Sequence, residues 1–116
     1  MVLAPVARQD IRDTLRWSQE KFGQRAAGRY QALLTQALRD IEADPERAGS
    51  RDRPEIQLAG ARTYHLALSR DRVAGQRVRT PRHFLLYWRR RDGVIVVARV
   101  LHDSMDLSRH VLWTLG

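Results

Sequence analysis

Residues 83–101 read HFLLYWRRRDGVIVVARVL, and their pattern sets the fold. His83 to Arg89 is rich in the aromatic and aliphatic residues that fill strands. Arg91-Asp92-Gly93 marks a tight turn, because Asp-Gly tolerates the positive φ of a type I′ hairpin. Val94 to Leu101 is almost wholly apolar, which predicts a central strand covered on both faces.

Upstream the hydrophobic period changes twice. After Gly60 it is two: Tyr64, Leu66 and Leu68 alternate with Thr63, His65, Ala67 and Ser69, which predicts another strand. Arg70 to Arg82 is basic, holds Gly75 and Pro81, and reads as a long hairpin connection. Before residue 60 the period is helical. Ala7, Ile11, Leu15, Ser18 and Phe22 form the apolar stripe of a helix from Val6 to Phe22, with Arg8, Asp10, Arg12, Asp13, Arg16 and Glu20 outside. Gly23 falls at its C-cap. A second helix, Gln24 to Ala43, carries Ala27, Tyr30, Leu34, Ala37, Leu38 and Ile41 inward and stops at Asp44-Pro45. The short link makes the two helices antiparallel neighbours. Residues 46–60 read as loop, and Val2-Leu3 as a short first strand stopped by Pro5. Beyond the last strand, Asp106 is placed to N-cap a short helix reaching about Leu112. The expected class is α+β: an antiparallel helical hairpin on a small, mostly antiparallel sheet, with a short C-terminal helix. At 116 residues this is a single domain, residues 1–116.

Composition narrows the function classes. There is no cysteine, so neither disulfide nor thiol chemistry is available. No apolar run is long enough for a membrane helix. The start lacks the basic and apolar regions of a signal peptide, so the expected compartment is the cytoplasm. The formal net charge is +8, and nearly all of the positive charge is arginine. That excess favours an anionic partner, either nucleic acid or an acidic protein segment.

Several stretches together resemble the RelE/ParE superfamily of small type II toxins, and its ParE branch in particular. The start LAPVARQDI is similar to that branch's opening. Trp17 to Tyr30, WSQEKFGQRAAGRY, resembles its helix–Gly–helix junction, and Asp44 to Gly49 the exit of its second helix. The most specific similarities are His83 to Arg89 and the run Arg99 to Asp106 followed by Arg109-His110. The Arg70–Arg82 connection is longer than the family's hairpin, and the tail after His110 is short and apolar. The resemblance implies a growth-arresting toxin silenced by a cognate ParD-like antitoxin through an acidic flexible segment. It implies a binding inhibitor of DNA gyrase with no chemical step and no cofactor. The rival within the superfamily is an mRNA endonuclease of the RelE type, acting on the ribosome.

The residues offer candidates for both. For a nuclease, His102 would be the acid or base, Arg99 a phosphate clamp, and Tyr87 and Arg82 helpers. The structural alternative makes RVLHDSMDLSRH a tie between the last strand and the last helix. Asp106 then caps the helix, Met105 plugs the core, Arg109 pairs with Asp103 or Asp106, and His102 hydrogen-bonds the chain end, with Arg99 and His110 as further members of the motif. This alternative is preferred. Asp103 and Asp106 with the two histidines match no metal spacing, so no metal site is expected. Partner contacts are expected from the basic segments: Arg51 to Arg53, then Arg70, Arg72, Arg77 and Arg79, and then Arg89, Arg90 and Arg91. These lie in loops at related ends of one sheet, so that their fields add. Trp17 and Leu33 fall off the helical stripes and are candidates for an apolar groove that receives an antitoxin helix.

Overall fold

The computed structural model describes residues 1–75 and 77–105. Its elements are β1 (Val2–Leu3), α1 (Pro5–Phe22), α2 (Gln24–Ala43), β2 (Arg51–Asp52), β3 (Arg62–His65), a 3₁₀ helix (Leu66–Arg72), β4 (His83–Arg89) and β5 (Ile95–His102). The strands form one sheet in the order β1-β5-β4-β3-β2. Only β1 and β5 run parallel; the other pairs are antiparallel. This is the α+β helical hairpin on a sheet that the sequence predicts. The predicted C-terminal helix, with Asp106, Arg109 and His110, lies outside the described residues.

Pro5 opens α1 at a position where its missing N–H costs nothing. The buried residues of α1 are small: Ala7, Thr14 and Ser18. Ile11 and Leu15 pack on the core from partly buried positions. Phe22 departs from the predicted stripe, since it is 65% exposed. Gly23 joins the helices at φ 92°, which a residue with a Cβ rarely adopts, and its N–H donates to the Gln19 carbonyl. Leu33 is a second correction. It is 1% exposed, so it belongs to the core and to no partner surface. Because α2 packs on both α1 and the 3₁₀ helix, its apolar arc is wider than a single stripe.

The predicted alternation after Gly60 holds only to His65. There the chain turns into the 3₁₀ helix, capped by His65, whose Nδ1 accepts from the Ala67 N–H. Leu66 and Ser69, three apart, then share its buried side, while Leu68 is 45% exposed. Two residues of the predicted 46–60 loop, Arg51 and Asp52, form β2 on the sheet edge. The β4–β5 turn also differs in type. Only Gly93 has positive φ, 87°, and Arg90 bonds to Gly93 and Val94 through the backbone. This is a three-residue loop with glycine at the left-handed position, not a type I′ pair.

The apolar run of β5 has cover on both faces. Ile95, Val97 and Val100 join the helix-side core with Leu85 and Tyr87. Ala98 lies in a second cluster with Leu86, Ile56 and Ala61, under the loop before β3. A register shift between Leu86 and Tyr87 leaves Ala98 unpaired against β4, which is how Val97 and Val100 both reach the helices.

Candidate partner-binding site

The end of β5, the start of β4 and the facing sides of α1 and α2 converge on an aromatic cluster. The Trp17 ring meets Phe22, Tyr30, His83 and His102 edge to face, at centroid distances of 5.8, 6.4, 5.5 and 6.3 Å. Tyr30 connects the helices to β4. Its oxygen accepts from the Arg82 N–H at 3.0 Å and lies 2.6 Å from His83 Nδ1. With the hydroxyl accepting the backbone proton, its own proton goes to the His83 nitrogen. Burial pushes Tyr30 up to about 12, and burial together with the nearby His102 brings His83 down to about 4. Both are neutral at physiological pH.

Asp103 gathers the outer part of this end. Its carboxylate lies 3.2 Å from Arg82, 3.1 Å from His65 and 3.7 Å from His102, and its N–H donates to the Arg82 carbonyl. Burial alone would raise its pKa, but the His65 hydrogen bond and the neighbouring positive charges outweigh it and hold Asp103 low. The expected Asp103–Arg109 pair involves a residue outside the described set. Met105 is not the predicted core plug, being 42% exposed.

Of the four nuclease candidates, Tyr87 lies apart from the other three, which line the clefts described below. Tyr87 is fully buried, and its O–H donates to the Pro45 carbonyl at 2.5 Å. Its pKa is raised by burial. Arg99 forms a forked pair with Asp10 at 2.8 and 3.1 Å, and the same carboxylate accepts from the Val100 N–H at 2.9 Å. Asp10 thereby satisfies a β5 edge group that the two-residue β1 does not reach. His102 Nδ1 accepts from the Ser104 N–H at 3.1 Å. Arg82 is engaged by Asp103. Among the described residues no three His, Asp or Glu side chains gather as metal ligands.

The basic segments also fall apart in space. β4 separates Arg70, Arg72, Arg77 and Arg79 at its start from Arg89, Arg90 and Arg91 at its end, a distance of about 20 Å for seven extended residues. Arg51 to Arg53 lie toward the latter end, since β2 pairs Asp52 with Arg62, and Arg62 pairs with Tyr87. The predicted single field is therefore two separate ones. Three of these arginines are paired: Arg72 with Asp40, Arg77 with Asp71 and Arg90 with Asp92. Arg70 donates to the Arg79 carbonyl.

A cleft of about 990 Å³ opens beside the aromatic cluster. Trp17, Phe22 and Val78 give it apolar walls, and Arg29, Arg77, Arg79 and Arg82 surround them. A smaller one of about 510 Å³ adjoins it, bounded by Asp10, Asp13, Arg99 and Met105. Trp17 and His102 line both. Of the predicted groove residues, then, Trp17 is at the site and Leu33 is not. Tyr30, His83 and Phe22 carry no sequence signal beyond that of ordinary strand or core positions. The pairing of Tyr30 with His83 spans 53 residues, and no local pattern encodes it.

No curated protein matches the chain. A family model described as the ParE toxin of the type II toxin–antitoxin system parDE matches residues 1–107. That span takes in the helical hairpin, every strand of the sheet and the aromatic cluster. The chain belongs to the ParE toxin family of type II toxin–antitoxin systems.

Proposed function

We propose that this toxin acts by binding, with DNA gyrase as its target, and that a cognate antitoxin with an acidic flexible segment neutralises it. The observation that supports binding over catalysis is the structural engagement of two nuclease candidates, Tyr87 and Arg99. Tyr87 is sealed beneath Pro45 and Ser50, and Arg99 is held by Asp10. General acid–base work needs its groups within hydrogen-bond reach of one reacting atom, and the buried Tyr87 and the Asp10-bound Arg99 are not free to join His102 there. The surface left for action is the cleft at the α1–α2 junction, together with the arginines around it.

The test is expression in bacteria. Growth should stop on induction and resume when the protein encoded beside the toxin gene is co-expressed. The DNA-damage response should rise while transcripts stay intact. Early mRNA cleavage on ribosomes without that response would favour the nuclease reading instead. Unimpaired growth with soluble, folded protein would remove the toxin assignment for this chain.

A further inference from the structure

A sheet face turned to solvent ordinarily carries polar side chains, but the face of β4 and β5 away from the helices is apolar. Phe84 pairs with Leu101 and Trp88 with Val96, and between these pairs lie Leu86 and Ala98. Residues 54–60 cross over that middle. Ile56, 6% exposed, and Leu58 pack on Leu86 and Ala98, while the other five residues of 54–60 are exposed. The segment is closed at its neck, where the Arg53 N–H donates to the Ala61 carbonyl at 2.8 Å and Arg53 Nε to Thr63 Oγ1 at 2.9 Å. Its other backbone bonds, from Ile56 to Arg53, Leu58 to Ile56 and Ala61 to Leu58, stay inside the loop. Among the described residues, no hydrogen bond or ion pair joins residues 54–60 to β4, β5 or either helix. Two apolar side chains hold the loop down.

We propose that residues 54–60 form a hinged strap, which swings off the outer sheet face while the sheet and helices stay folded. Gly60 supplies the exit hinge, with φ 77° and open space around it. The neck bonds fix where the loop starts and ends, and no polar bond has to break for its tip to lift. What keeps it shut is the apolar area of Ile56 and Leu58, a force without direction. Openings that release so few buried contacts lie well below global unfolding in free energy. The strap is thus the face's own occupant. Apolar side chains of any other molecule reach Leu86 and Ala98 only in the open form, with an affinity reduced by the open fraction. The device does not depend on which target the toxin binds.

The chain has no cysteine, so a single introduced thiol reports opening by its rate of reaction with a disulfide reagent. Ala98→Cys, buried in the cluster with Ile56, reads the strap, and Ala37→Cys, buried in the helix-side core, reads global unfolding. The Ala98→Cys thiol should react about tenfold or more faster than the Ala37→Cys thiol. Its rate should be nearly indifferent to low urea, because opening exposes little surface. Ile56→Ala should raise the Ala98→Cys rate by about tenfold or more. Asp40→Ala, which weakens the tie between α2 and the 3₁₀ helix, should raise only the Ala37→Cys rate. Leu86→Cys, buried on the same outer face, repeats the strap measurement should Ala98→Cys disturb the packing. Equal rates with equal urea dependence at the two positions, or an Ile56→Ala change that leaves the Ala98→Cys thiol as slow as before, would overturn the proposal. So would an Ala98→Cys thiol that reacts at the full rate of an exposed one before any further change, since the strap would then cover nothing.

Discussion

His83 is held in place by one hydroxyl. Tyr30 accepts from the Arg82 backbone and donates to the His83 ring, so a charged imidazole would cost that arrangement its acceptor. Folding brings His83 to about 4 from its ordinary 6.5. The unfolded chain therefore takes up the proton first, and stability is complete above pH 6.5 and falls as pH drops toward 4. The difference is worth about 3 kcal/mol. Urea unfolding at pH 7 and pH 4.5 should show this slope, and His83→Gln should flatten it; equal slopes in the two proteins would contradict the assignment. Asp40 acts in a lower window. Burial would raise its pKa, but hydrogen bonds from Ser69, Gln36 and Arg72 overcome that and lower it, so its contribution is present above 3.8 and disappears only below. Tyr64 donates to Ser69, and Ser69 to Asp40 at 2.6 Å. Asp40→Ala breaks that chain and should cost roughly 2–3 kcal/mol, measured by the same unfolding experiment.

The 3₁₀ helix is tied to the loop after α2 by a contact without polarity. Gly49 has φ 92°, and a Cβ there would lie 2.6 Å from Leu68. Gly23 has the same φ with open space around it. Gly49→Ala should therefore destabilise the protein more than Gly23→Ala, each by more than about 1 kcal/mol. Leu68→Ala should relieve only the first, as a double-mutant cycle by thermal melting would show. Neither Gly49 nor Leu68 is distinctive in the sequence. The two helices were legible because each repeats a period over 18 residues or more, and β4 and β5 because each is a run of strand-forming residues on either side of a turn signal. The 3₁₀ helix is hidden because Leu66 and Leu68 continue the alternation of the preceding strand in the sequence, although Leu68 is exposed and Ser69 buried. β2 is two residues long, too short for any period, and only its partner β3 defines it. The site was half legible. Trp17 stood out as an aromatic off the stripe, whereas Leu33 looked the same and is core, because α2 is covered from two sides.

Across the whole molecule the arginines of the loops and turns around the sheet are divided between the two ends of β4, apart from those on the helices. The end at the start of β4 carries the aromatic cluster and the clefts, and the other carries the Arg89–Arg91 turn. Reversing charge at Arg91 should slow association with an acidic partner through the long-range field alone, while Arg79→Glu should also speed dissociation, which stopped-flow at several salt concentrations would separate. Tyr87, Arg99 and Arg82 are each committed to a structural bond, which supports the proposed action by binding. The direct test is a gyrase supercoiling assay with purified protein beside its His102→Gln variant. Both should block supercoiling at similar concentrations, because glutamine keeps a hydrogen-bonding side chain and a catalytic imidazole would be worth on the order of 10²–10⁴-fold. If gyrase is unaffected, and the unaltered protein cleaves mRNA on ribosomes while the folded His102→Gln variant does not, the protein is a nuclease and the binding mechanism is wrong.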